Sequence, residues 1–153
     1  MNSIGITHSE VEIPPAVRRA DAWVGLCLAL ALHVVDEALT DFLSVYNPAV
    51  QSIREHVSWL PLPTFTFQLW LGGLIVAVIV LSSLTVFVLR GSRWMTPVAY
   101  AFGALMLANG LLHIAGSIRL GRFMHGVYSA PVLLAASIYL LATVHQQRKG
   151  NRL

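Results

Sequence analysis

The chain has 153 residues, of which 56% are hydrophobic and only 11% charged, with a formal net charge of +3. Soluble domains carry about 25% charged residues, so the composition argues for lipid as the main solvent. The basic residues stand singly or in pairs, which excludes a nucleic-acid patch, and the single cysteine, Cys27, excludes an intrachain disulfide and a CxxC metal site.

Residues 1–17 place Glu10 and Glu12 ahead of Arg18 and Arg19, and no clear small-residue cleavage site follows the first apolar run. That pattern does not fit a secretory signal, so the run is expected to persist as a helix behind a loosely ordered tail. Four apolar segments follow: 22–46, 65–89, 94–118 and 127–145. A bilayer core about 30 Å thick needs roughly 20 helical residues, and each segment is of that order. The rival reading, a soluble helical bundle, needs a polar stripe on every helix. The stretch from Leu69 to Leu89 offers only Gly, Ser and Thr. The predicted fold is therefore all-α, a four-helix transmembrane bundle over residues 18–147, closed by a basic tail at 148–153.

The segment ends agree with this plan. Trp23, Tyr46, Trp59, Trp70, Trp94 and Tyr128 fall near the predicted interfaces, where amphipathic rings settle. Pro48 is read as following the first helix, and Pro61 and Pro63 as preceding the second. Pro97 and Pro131 fall in the first turns of the third and fourth, where a missing N–H costs little. Arg18, Arg19, Arg90, Arg93, Arg148, Lys149 and Arg152 lie on one side, and Arg54, Arg119 and Arg122 on the other. The positive-inside rule then places both termini in the cytoplasm. The expected location is the cell membrane, with lipid as the immediate partner. No internal repeat is evident.

Ionisable groups inside a membrane helix are costly, at about 2.5–3.5 kcal/mol for a central Asp on insertion scales. The first helix nevertheless carries His33, Asp36, Glu37 and Asp41. His33, Glu37 and Asp41 are spaced i, i+4, i+8 and share a face, with Asp36 at its edge. The third helix carries Asn109 and His113 at i, i+4, with Ser117 one turn on. Gly103 and Gly110 beside them invite close approach of another helix. The expected orientation puts these groups in the outer half of the membrane. Gln68 opens the second helix at that level, and His125, Tyr128 and Ser129 open the fourth. A polar pocket facing outward is expected.

Two His and one carboxylate, His33, Glu37 and His113, form a set that suits a divalent zinc, iron or manganese ion. Asp36, spare as a ligand, is a candidate general base, and Asn109 a candidate to orient a ligand or stabilise an oxyanion. Asp41, Gln68, His125 and Tyr128 are expected to line the same pocket. Such a site suits a metal-dependent hydrolase or oxidoreductase acting on a lipid or small amphiphile. Two other functions use the same residues. A proton- or cation-coupled carrier would need a homodimer, because four helices without an inverted repeat do not fit secondary-transporter plans. In a structural subunit the polar groups would only pair helices.

The run His33-Val-Val-Asp36-Glu37 resembles the signature of the HXXEE-domain membrane proteins, in which a His is followed by two acids on a first apolar helix. The later stretch Asn109-Gly-Leu-Leu-His113-Ile, then Ser117-Ile-Arg119 and Gly126-Val-Tyr-Ser-Ala-Pro131, is similar to that family's second block. The resemblance runs from about residue 22 to 145. It implies the helical architecture and the site residues, and no reaction, because the family's function is unknown. Asp36 departs from the motif's first Glu, shortening its reach by one methylene. His125-Gly126 stands where the family pattern implies Pro-Gly.

Overall fold

A computed structural model describes residues 14–57 and 59–150. Among these residues it contains six helical segments and no strand: α1 (Pro15–Leu39), α2 (Leu43–His56), α3 (Phe67–Ser83), α4 (Thr85–Leu89), α5 (Met95–Leu120) and α6 (Ala130–Gly150). α4 continues α3 past Leu84, whose backbone is still right-handed helical. Together they make one stretch, Phe67–Leu89. Three helices are long and apolar enough to cross a membrane: Pro15–Leu39, Phe67–Leu89 and Met95–Leu120. α6, the expected fourth, is apolar only as far as Val144 and then runs through His145, Gln146, Gln147, Arg148 and Lys149.

α1 is the central helix, packed against α6 on one side and against α3 and α4 on the other. Its buried residues Trp23, Leu26, Leu30, His33 and Glu37 recur every three or four positions, the spacing of one helix face. Trp23, expected at an interface, is instead wholly buried in the core. Its ring lies 5.2 Å from that of Phe102 and its Nε1–H donates to the Leu81 carbonyl at 2.9 Å. Arg19 also turns inward, and its Nη2 donates to the Val88 carbonyl at 3.1 Å. There it adds a second donor to a carbonyl at the C-terminal end of α4 that already accepts from the Gly91 N–H at 3.0 Å.

α6 returns along α5. The glycines at 103 and 110 permit this approach: a Cβ at Gly103 would sit 2.9 Å from Leu141 Cδ2, and one at Gly110 would sit 2.9 Å from Leu134 Cγ. Leu133, Leu140 and Val144 of α6 are buried in the shared core with Met95, Ala99, Phe102 and Met106 of α5.

The first predicted span stops earlier than expected. α1 ends at Leu39, and Tyr46 and Pro48 belong to a separate amphipathic helix, α2, with Pro48 inside it. The stop is built from backbone geometry. Asp41 adopts φ +57, and the Phe42 N–H donates to the Glu37 carbonyl at 3.1 Å, the closing bond of a Schellman-type helix end. Thr40 Oγ1 donates to the Asp36 carbonyl at 2.7 Å. Asp is one of the few non-glycine residues that enter this left-handed region readily. Asp41→Val is expected to lower stability by about 1–2 kcal/mol, and Asp41→Gly to change it by less than about 0.5 kcal/mol. Thermal unfolding in detergent separates the two. Equal losses in both variants would mean that the carboxylate, not the backbone angle, carries the position. α2 is tied down by a reciprocal pair: Asn47 Nδ2 donates to the Phe65 carbonyl at 2.9 Å, and the Phe65 N–H donates to Asn47 Oδ1 at 3.0 Å.

Candidate functional site

The site forms where α1 and α5 end and the turn before α6 crosses them. His33 and Glu37 sit one turn apart on the buried face of α1, and His113 faces them from the last turns of α5. All three are buried, His33 completely. Glu37 Oε1 lies 3.0 Å from His113 Nε2 and 3.6 Å from His33 Nε2. One ligand-type atom from each residue lies within 4.8 Å of the other two. The imidazoles meet edge to face, with centroids 4.8 Å apart and planes at 80°.

The other ring nitrogens fix the tautomers. His113 Nδ1 lies 2.6 Å from the His125 carbonyl oxygen. A carbonyl only accepts, so Nδ1 carries the proton. The Ser129 hydroxyl lies 2.7 Å from Asp36 Oδ2 and 2.8 Å from His33 Nδ1. An ionised carboxylate only accepts, so the Ser129 proton points to Asp36 and His33 Nδ1–H donates to the Ser129 oxygen. This assignment follows from the partners. In the neutral rings both Nε2 atoms then present lone pairs toward the Glu37 carboxylate. His33 Nε2 is buried and has no hydrogen-bond partner among the described residues.

The turn at 121–129 completes the pocket. Gly126 has φ +78, and a Cβ there would lie 2.9 Å from His113 Cε1 and 3.0 Å from Glu37 Cγ. Only glycine lets the backbone close over the three side chains. The Ser129 N–H also donates to Asp36 Oδ2 at 2.9 Å. Ser117 braces the other flank: its hydroxyl donates to the His113 carbonyl at 2.9 Å and accepts from the Met124 N–H at 2.9 Å. Phe42, the residue after the α1 stop, lays its ring 5.7 Å from that of His113 and 6.0 Å from that of Trp70.

A family described as "protein of unknown function with HXXEE motif" matches residues 24–140. The chain belongs to the HXXEE family. No curated protein and no solved structure matches it. In this HXXEE chain the motif reads His33-Val34-Val35-Asp36-Glu37, and the geometry divides its polar residues. His33 and Glu37 face inward toward His113, whereas half-buried Asp36 faces the turn before α6 and holds Ser129.

The remaining predicted residues lie in different surroundings. Asn109, one turn before His113 on α5, is half-buried. His125 reaches the site through its backbone carbonyl, not its ring. Asp41, Gln68 and Tyr128 are exposed, Tyr128 to 67%. Asp41 leaves the shared face because α1 ends before it. Gln68 lies in the first turn of α3, on its exposed side. Tyr128 turns outward and stacks on Phe123 with centroids 5.7 Å apart. Sequence reasoning did not single out Ser129 as a site residue. A Ser directly ahead of Ala130-Pro131 has the signature of a helix N-cap, and that role hides its use as the link between Asp36 and His33.

Proposed function

We propose that this HXXEE chain is a membrane-embedded metal-dependent enzyme in which His33, Glu37 and His113 hold a divalent ion. The observation that carries the reading is the His33 Nε2 atom, buried without a hydrogen-bond partner among the described residues beside a carboxylate oxygen that also faces His113 Nε2. A proton shared between Glu37 and His113 satisfies that pair and leaves His33 unanswered. A divalent cation answers all three atoms at once. Asp36 through Ser129, and the His125 carbonyl, supply the outer hydrogen bonds that orient metal-bound imidazoles. Two imidazoles and one carboxylate leave room for exchangeable ligands, as catalytic zinc, iron and manganese sites do.

When bound, such an ion polarises an oxygen of substrate or water. That suits hydrolysis or oxidation of a lipid or small amphiphile. In this reading the chain's own groups have separate tasks. Glu37 and the two His provide ligands, Asp36 positions His33 through Ser129, and Asn109 orients the substrate. The proposal includes α6 as a fourth span, because its apolar part packs along α1 and α5. It also places both termini in the cytoplasm of a cell-membrane protein, in line with the distribution of Arg and Lys. The proposal takes membrane lipid as the chain's immediate partner, is compatible with a homodimer and includes no nucleic acid.

Element-resolved analysis of protein purified without chelator tests the reading. About one zinc, iron or manganese per chain is expected in the wild type and none in His113→Ala. A metal-free wild type that also fails to take up any of the three ions would reduce the cluster to a helix staple. Ser129→Ala is expected to weaken metal affinity by about 10–100-fold, measured by competition with a chromophoric chelator, while Ser137→Ala, a buried serine bonded within α6, leaves it unchanged.

A further inference from the structure

The turn at 121–129 and the side chain of Phe42 both lie against the cluster, and they are held with different firmness. Moving the turn breaks the hydrogen bond from His113 Nδ1 to the His125 carbonyl and both bonds from Ser129 to Asp36. Phe42 is half-buried, so it reaches from the surface to buried His113, and its ring centroid lies 5.7 Å from that of His113. A phenyl ring has no donor or acceptor of this kind. Turning it aside gives up only apolar contacts, with Tyr46 at 5.5 Å and Trp70 at 6.0 Å between centroids.

The backbone is built to put this ring there. In an unbroken α1, residue 42 would stand about 140° around the helix axis from Glu37. The left-handed Asp41, at φ +57, ends that helix and redirects the chain, and the ring then meets Glu37's own partner, His113. Left-handed non-glycine residues cluster at functional sites. The start of α2 is pinned in turn. The Tyr46 hydroxyl donates to the Pro63 carbonyl at 3.2 Å, and Asn47 exchanges two hydrogen bonds with Phe65. The frame is therefore fixed and the ring is the part free to move. We propose that Phe42 is the specificity-determining gate of the site: its ring turns aside to admit a group to Glu37 and His113, and its bulk limits what can enter. A metal behind the gate rests on the proposed metal site, whereas the gate itself rests on the contacts of Phe42.

The test acylates the metal-free full chain in detergent with diethyl pyrocarbonate and follows each histidine by peptide mapping. Exposed His56 and His145 are expected to react quickly, and buried His33 and His113 slowly. Phe42→Ala is expected to raise the His113 rate, relative to His56, by about tenfold through easier local opening, with Phe42→Leu between it and the wild type. His33, fully buried and facing Ser129, should stay protected in both. Phe67→Ala removes another ring of the same aromatic group, 6.0 Å from that of Trp70, and should leave both buried histidines at their wild-type rates. A His113 rate that does not follow the order Phe, Leu, Ala would overturn the gate. So would equal acceleration of His33, which would mean that this end of the bundle had merely loosened. Failure of the metal site has a different signature: no bound metal in the wild type, with the same order of His113 rates.

Discussion

Glu37→Gln is expected to abolish metal binding without costing stability in the metal-free protein. Gln has nearly the volume of Glu, so the packing survives. Its amide can donate to the His113 Nε2 lone pair, which lies 3.0 Å from Oε1 in the native site. The substitution therefore replaces a contact that needs a shared proton by a hydrogen bond that needs none, and the metal-free variant should be at least as stable as the metal-free wild type. Adding metal separates the two proteins. A ligand that binds only the folded state stabilises it by about 2.7 kcal/mol at a hundredfold excess over Kd and about 4.1 kcal/mol at a thousandfold excess. Wild-type unfolding should shift upward with zinc or manganese, and that of Glu37→Gln should not move. If Glu37 only pairs helices, the pattern reverses: the variant unfolds more easily and metal affects neither protein.

Gly126→Ala is the second large effect, and it changes no candidate ligand. Alanine at φ +78 pays the left-handed penalty, and its methyl meets His113 at 2.9 Å and Glu37 at 3.0 Å. The His113 ring cannot swing aside freely, because the His125 carbonyl holds it. Strain and overpacking together are expected to cost about 2–4 kcal/mol and to remove metal binding. Gly121→Ala isolates the strain: its φ is +61, but nothing lies within 4 Å of the added carbon. That variant should lose only about 1–2 kcal/mol and keep its metal. Thermal unfolding of the three proteins, with metal content measured on each, checks the prediction. A Gly126→Ala protein with full metal occupancy would show that the turn does not press on the cluster.

The sequence made the helical plan legible because lipid-facing segments carry a strong and simple signal. Length and apolarity locate Phe67–Leu89 and Met95–Leu120 within a few residues. The α1 stop was hidden for a physical reason. Apolar residues continue through Phe42, Leu43 and Val45, and the break depends on the backbone angle of Asp41 in place of a glycine or proline. The same i, i+4, i+8 spacing that joins His33 to Glu37 therefore extends falsely to Asp41. His33, Glu37 and His113 could be picked out because buried ionisable groups are costly and must find one another. Ser129 and the His125 carbonyl could not, since a hydroxyl and a backbone oxygen cost little in isolation and acquire their role only when the turn folds over α1. Trp23 misled for the opposite reason: an aromatic near a helix end suits an interface or a core equally well, and packing decides.

X-ray absorption at the zinc edge of the zinc-loaded full chain tests the central claim most directly. The expected spectrum has nitrogen and oxygen scatterers at about 2.0–2.2 Å, with the multiple-scattering signature of two imidazoles. It should fall to one imidazole in His33→Ala if zinc is retained at all. A spectrum without imidazole scattering, or one unchanged by His33→Ala, would contradict a metal held by the two histidines.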